Sequence, residues 1–94
     1  MTHKISVEET SPTKYRVTVI AGKTKTTHDV TLTSSDLGRY AAGRSPESLL
    51  KVSFEFLLQR ELQESILRQF ALSDVERYFP DYPKIIRALP AVTE

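Results

Sequence analysis

The sequence predicts an α+β fold: a three-stranded antiparallel β-meander covered by one long helix and followed by short C-terminal helices. Three observations lead to this class. Residues 4–32 alternate between apolar and polar side chains, and residues 46–61 form one apolar helical stretch. Residues 65–89 contain several short clusters of apolar residues. A chain of 94 residues can enclose one core, so we expect a single domain over residues 1–94.

The N-terminal third has the alternation that is typical of half-buried strands. Ile5 and Val7 occupy alternate positions of the first run, and Val17 and Val19 do so in the second. The third run shows the same alternation over residues 28–32. Such a pattern turns one face of a sheet inward and the other toward water. The runs are separated by short breaks rich in Gly, Pro, Ser and Thr, which favours antiparallel pairing of neighbouring strands.

A short helical turn, capped by residues 34–36, is expected before the main helix, which is predicted over about residues 46–61. Ser45 is placed as its N-cap and Pro46 as its first helical residue. The apolar arc covers about 240°, against roughly 100° for a typical surface helix, so two flanks need cover. Helical spacing gives two apolar clusters, which are Leu50, Phe54, Leu57 and Leu58, and Leu49, Val52 and Phe56.

The C-terminal part, about residues 65–89, is predicted to contain short helices. Residues 66–71 have apolar side chains at helical spacing, and Ser73 with Glu76 forms the pattern of a capping box. Pro83 is expected at the start of a last helical turn. These helices are expected to pack on the side of the main helix that faces away from the sheet.

The composition argues against several classes of function. Thirteen basic and twelve acidic residues give a net charge of +1, whereas nucleic-acid binders usually carry a basic excess. The chain has no cysteine, no apolar stretch of about 20 residues that would span a membrane, and no pattern typical of a signal peptide. We therefore expect a cytoplasmic protein that does not enter a membrane.

The sequence shows no arrangement of residues that is typical of an active site. His3 and His28 are too few for a metal site and are expected to be structural or solvated. Glu61 and Glu64 are three residues apart, but nothing in the sequence indicates that they are desolvated, as acid–base catalysis requires. Glu61 is expected to project near Leu57. We expect no enzymatic activity, no metal, no cofactor and no small-molecule substrate.

Four segments of the chain are similar to a group of small bacterial proteins of unassigned function. The segments are HDVTLT at 28–33, FEFLLQRE at 54–61, SIL at 65–67 and YFP at 78–80. The resemblance covers roughly residues 14–86 and implies a bacterial origin and a compact α+β fold. It implies no activity, ligand or site for any residue of this chain.

Two hypotheses for function follow. The first is a non-enzymatic protein-interaction or regulatory module, in which part of the second apolar cluster stays exposed and binds a protein partner or a second copy. Its candidate surface consists of Leu49, Val52, Phe56, Tyr78 and Tyr82. In the alternative interpretation of these residues, the C-terminal helices bury the cluster within the same chain.

The second hypothesis is a DNA-binding or antitoxin-like regulator that uses residues 65–79, or a basic hairpin, although Asp74 and Glu76 suit DNA poorly.

Overall fold

The computed structural model describes residues 3–41 and 43–88, which form a four-stranded sheet with helices on one of its faces. The strands are β1 (Lys4–Ser11), β2 (Lys14–Ala21), β3 (Thr24–Thr31) and β4 (Gln69–Ala71). The helices are α1 (Ser34–Tyr40), α2 (Pro46–Leu58), α3 (Asp74–Tyr78) and α4 (Tyr82–Ala88), and a 3₁₀ turn covers Gln63–Ser65. The α+β class is confirmed, and residue 89 of the predicted helical part lies outside the described residues.

The sheet has the strand order β1-β2-β3-β4. The first three strands pair antiparallel, as the short breaks between them predict, whereas β4 pairs with β3 in parallel. The helix predicted over 66–71 is therefore wrong. Its apolar spacing has another cause, because Ile66 and Phe70 both turn inward while the chain between them runs along β3.

The inner face of the sheet is apolar in its middle strands. Val17 and Val19 of β2 and Val30 of β3 are fully or almost fully buried. Gly22 lies in the two-residue turn between β2 and β3, at a φ of 62°, where glycine is favoured. The outer face is polar, with Arg16 as an example of an exposed side chain on β2.

Both N-terminal helices begin at side-chain caps. Ser45 accepts a hydrogen bond from the Ser48 amide, and Pro46 is the first residue of α2, as predicted. The cap of α1 is Thr33, which forms a capping box with Asp36, rather than the serines that follow it. Helix α2 ends at Leu58, short of the predicted residue 61.

The apolar side chains of α2 are divided between two neighbours. Phe54 lies against His28 of β3, with ring centroids 5.2 Å apart, and against Phe70 of β4 at 6.1 Å. We call the cluster Leu50, Phe54 and Leu57 the sheet-facing flank. The cluster Leu49, Val52 and Phe56 is the helix-facing flank, because Phe56 contacts Phe79 and Tyr82.

The C-terminal helices differ in detail from the prediction. Ser73 has helical backbone angles and makes no capping hydrogen bond with its side chain, so the predicted capping box with Glu76 is wrong. Instead, the Asp74 carboxylate accepts a hydrogen bond from the Ala71 amide and ties α3 to β4. Helix α4 begins at Tyr82, one residue before Pro83.

Candidate interaction groove

Most of the predicted interaction surface lies in the interior. Leu49, Val52, Phe56 and Tyr82 are all buried, so they do not form an exposed patch on this chain. Tyr78 is the exception, with 67% of its surface exposed. The hypothesis that part of the helix-facing flank stays exposed is therefore wrong.

The burial comes from the C-terminal helices of the same chain, which was the alternative interpretation. The Phe56 ring packs edge-on against Phe79, with centroids 5.7 Å apart, and against Tyr82 at 5.3 Å. Tyr82 also lies 5.2 Å from Tyr40 of α1. Helix α4 thus covers the flank that the sheet does not reach.

A groove is present beyond the C-terminal end of α2, between β4 and α3. It has a volume of about 200 Å³. The apolar residues on its lining include the buried or half-buried side chains of Leu57, Ile66, Phe70, Val75 and Phe79. Because α2 stops at Leu58, neither the helix nor the sheet extends over this part of the core.

Two exposed apolar side chains also line the groove. Leu67 is 51% exposed and Tyr78 is 67% exposed. A third exposed apolar side chain, Leu62, is 74% exposed but does not belong to the lining. Single exposed leucines are ordinary on protein surfaces, whereas apolar side chains grouped around a groove are typical of binding sites.

The charged residues on the groove lining are acidic, namely Glu61 and Asp74. Asp74 is engaged with the Ala71 amide at 3.1 Å. The Glu61 carboxylate makes no hydrogen bond or ion pair within residues 3–41 and 43–88. Its neighbour Arg60 does not neutralise it, because the guanidinium lies over the Phe56 ring at 3.8 Å and donates to the Phe56 carbonyl.

The segment that carries Leu67 is fixed to the sheet by a chain of buried polar groups. His28 Nδ1 lies 2.8 Å from the Leu67 carbonyl oxygen, and His28 Nε2 lies 2.9 Å from Thr26 Oγ1. Gln63 Nε2 donates to Thr26 Oγ1 and to the Val19 carbonyl. Since a carbonyl only accepts, Nδ1 must carry the proton, and the Thr26 hydroxyl donates to Nε2. The backbone of this wall of the groove is thereby held in place.

His28 is neutral in this arrangement. Burial lowers its pKa, and nearby Arg68 acts in the same direction, while the hydrogen bond to Leu67 and the charge of Asp29 oppose the change. Both ring nitrogens are engaged and the side chain is buried, which is a structural role. His3, the other histidine, lies just before β1.

Residues 65–79 do not have the geometry of a helix-turn-helix. The first helix of that motif would cover Ile66 and Phe70, but in the structure Ile66 follows the 3₁₀ turn and Phe70 lies in β4. The basic hairpin is also partly compensated, because Arg16 lies 3.9 Å from Glu8 and 3.7 Å from Asp29.

The described part of the chain contains no cluster of three or more residues that could bind a metal ion, and none of its helices is long and apolar enough to cross a membrane. No protein-family model, no curated protein and no solved structure matches the chain.

Sequence reasoning found Tyr78 but missed Leu67 and the apolar floor of the groove. One signal in the sequence was available. Leu67 stands between Ile66, which turns inward, and the charged Arg68, so it is a leucine placed to point outward.

Proposed function

We propose that this chain is a non-enzymatic protein-interaction module whose groove binds a peptide segment of a partner protein. The segment contributes one apolar side chain to the groove and one basic side chain to its acidic edge. The observation that carries the proposal is the open apolar groove next to Leu67 and Tyr78, at the end of α2. A cytoplasmic location stays a prediction.

The size of the groove supports a side chain as its occupant. Its volume of about 200 Å³ is below the roughly 300–1,000 Å³ that small-molecule and cofactor sites commonly have. One leucine, isoleucine or phenylalanine side chain fits that space. Exposed aromatic residues such as Tyr78 are favoured at protein interfaces, where the ring packs and the hydroxyl stays near water.

Charge supports a basic neighbour for that apolar residue. Glu61 lines the groove and its carboxylate has no partner among the described residues, and Asp74 adds a second negative charge. A lysine or arginine beside the apolar anchor would pair with Glu61. The same acidic lining argues against the DNA-binding alternative, because phosphate would be repelled there.

Peptide display tests the proposal directly. The full chain is used as bait for a random peptide library, and selected peptides are measured by fluorescence anisotropy. We expect enrichment of an aliphatic or aromatic residue next to lysine or arginine. Exchanging that basic residue for glutamate should weaken binding, and Glu61→Gln should reduce affinity about two- to five-fold, as expected for an exposed ion pair.

Two leucines give a matched pair of variants. Leu67→Asp places a charge on the groove lining and should abolish binding, whereas Leu62→Asp makes the same change on an exposed leucine outside the groove and should leave it unchanged. Tyr78→Ala is a second groove variant in case Leu67→Asp alters the fold. Equal binding by the Leu67 and Leu62 variants, or no enrichment of peptides, would contradict the proposal.

A further inference from the structure

The two edges of the sheet are different. Strand β4 has only three residues, Gln69–Ala71, and its Ala71 amide already donates to Asp74. Strand β1 has eight residues, Lys4–Ser11, and no other described strand pairs with its outer side. A long edge strand without a strand partner on its outer side is a template on which another strand can pair.

Hydrogen-bond geometry shows which backbone groups of β2 point toward β3. In an antiparallel pair, directly opposed residues alternate between bonded and non-bonded positions. Ala21 and Thr24 close a two-residue turn, so they form a bonded pair. The Leu32 amide donates to the Thr13 carbonyl at 2.8 Å, so this pair is bonded as well. The odd-numbered residues of β2 are therefore the ones that bond to β3.

The even-numbered residues of β2 therefore bond to β1. Their partners on β1 are Lys4, Ser6 and Glu8. The N–H and C=O groups of Ile5 and Val7 point the other way, toward the open edge. These two residues provide the unpaired hydrogen-bonding groups of the edge.

The side chains of the same two residues are incompletely covered. Ile5 and Val7 face inward with Val19 and Val17, their partners on β2. Both valines of β2 are fully buried, while Ile5 and Val7 are only half-buried. The apolar inner face thus continues to the edge of the sheet, where α2 packs against β1 but leaves Ile5 and Val7 half-buried.

The order of residues in β1 is complementary to itself. An antiparallel pair of β1 strands with Ser6 opposite Ser6 places Lys4 opposite Glu8 twice and Ile5 opposite Val7 twice. All paired side chains then lie on matching faces, with charges on the wet face and apolar groups on the inner face. The hydrogen-bonding phase agrees as well, because Ile5 and Val7 are the residues whose backbone faces outward.

Neighbouring registers lack this match. Centring the pair on Val7 places Ser6 opposite Glu8, and centring it on Glu8 places two carboxylates opposite each other. Centring it on Ile5 leaves Lys4 opposite Ser6. Of these four registers, the Ser6-centred one is therefore the one that places Lys4 opposite Glu8, while Glu9 lies opposite His3.

We propose that β1 is a self-association surface that pairs antiparallel with β1 of a second copy about a two-fold axis at Ser6. The two sheets become one continuous sheet, and Ile5 and Val7 of each copy cover those of the other. A symmetric contact of this kind is the commonest form of protein dimer. It lies apart from the groove and does not depend on its function.

A charge-exchange experiment tests the register. The oligomeric state of the full chain is measured by sedimentation velocity at low ionic strength. We expect a concentration-dependent species of twice 10.7 kDa. Because the interface is small, its dissociation constant should be on the order of tens of micromolar.

Each single charge reversal should weaken self-association. In the dimer, Lys4→Glu places carboxylates opposite each other at two positions, and Glu8→Lys does the same with ammonium groups. The dissociation constant of both variants should therefore rise about tenfold or more. A mixture of the two variants restores opposite charges at both positions and should form a heterodimer at the wild-type strength. Loss of the Glu8 contact with Arg16, at 3.9 Å and exposed, matters little to the fold.

Val7→Pro provides a second variant. It removes an N–H that faces the edge without removing a hydrogen bond to β2, so the chain should remain folded and monomeric. Leu67→Asp, in the groove, should leave the dimer intact. A wild-type chain that stays monomeric at millimolar concentration, or a mixture of charge variants that does not associate, would overturn the proposal. Pairing of this edge with a different protein only would overturn it as well.

Discussion

The two flanks of α2 are buried equally well, but different polar contacts accompany them. Under the sheet-facing flank, a series of side-chain hydrogen bonds runs from Gln63 through Thr26 to His28. At its two ends it reaches the backbone carbonyls of Val19 and Leu67. Beside the helix-facing flank, hydroxyl groups connect the helices. Ser53 Oγ donates to the Leu49 carbonyl at 2.7 Å, and the Tyr82 hydroxyl donates to Ser53 Oγ, also at 2.7 Å.

The difference separates the flanks by their response to pH. The sheet-facing flank contains His28, whose pKa is lowered by burial. The helix-facing flank contains tyrosines, and burial with a hydrogen bond to Glu76 raises the pKa of Tyr40 to about 12. Burial likewise raises the pKa of Tyr82. These tyrosines stay neutral across the range in which His28 is titrated, so mild acid acts on the sheet side.

The largest expected effect is from a charge placed on the helix-facing flank. Phe56→Asp removes a ring that contacts Phe79 and Tyr82 and leaves a carboxylate in an apolar site, so it should destabilise the fold by more than about 4 kcal/mol. Urea unfolding followed by circular dichroism measures the change. Glu55→Asp, at the exposed neighbouring position, serves as the control.

The sheet-facing flank should respond equally, since Phe54→Asp disturbs the contacts with His28 and Phe70. A Phe56→Asp variant that unfolds cooperatively at wild-type urea concentrations would contradict the statement that both flanks belong to the core. That result would instead favour an exposed helix-facing surface.

Helix α2 is predictable from sequence because its signals are local. Ser45 and Pro46 mark its start, and the spacing of its apolar residues defines two flanks. Strand β4 is not local. Its three residues become a strand through pairing with β3, some 40 residues earlier, and tertiary context overrides the helical spacing of Ile66 and Phe70.

The groove is hidden from sequence for a related reason. Whether Phe56 or Leu67 is exposed depends on where α3 and α4 pack, and their short sequences do not determine that position. The buried polar chain is equally non-local, because Gln63 and Thr26 meet only after the sheet has formed. Polar residues of ordinary appearance thus become core residues through contacts that no spacing rule describes.

An intermediate effect is expected from acid on the sheet-facing flank. The folded-state pKa of His28 is below its ordinary value of 6.5, so the unfolded chain binds the additional proton. The free energy of unfolding should therefore decrease as pH falls below 6.5, by up to about 1.4 kcal/mol for each pH unit, until the folded-state pKa is reached. Urea unfolding at a series of pH values between 7 and 5 measures the slope.

His28→Gln is the control for that slope. The variant loses the titrating group, so its stability should be lower at pH 7 but less dependent on pH than that of the wild type. Carboxylates titrate at lower pH and act in both proteins. Equal slopes in the two proteins would show that His28 is not the group that takes up the proton.

The smallest effect concerns the hydroxyl contact beside the helix-facing flank. Tyr82→Phe removes a donor from Ser53 Oγ, and Ser53→Ala leaves the buried Tyr82 hydroxyl without its acceptor, so each should cost about 1 kcal/mol or slightly more. The double variant removes both partners and should cost less than the sum of the two, by about 0.5–1 kcal/mol. Tyr40→Phe is the comparison, because its partner Glu76 is partly exposed and water can replace the lost bond. If the Tyr82 and Ser53 changes add without coupling, the hydroxyl pair does not stabilise this side of α2, and apolar packing alone holds α4 in place.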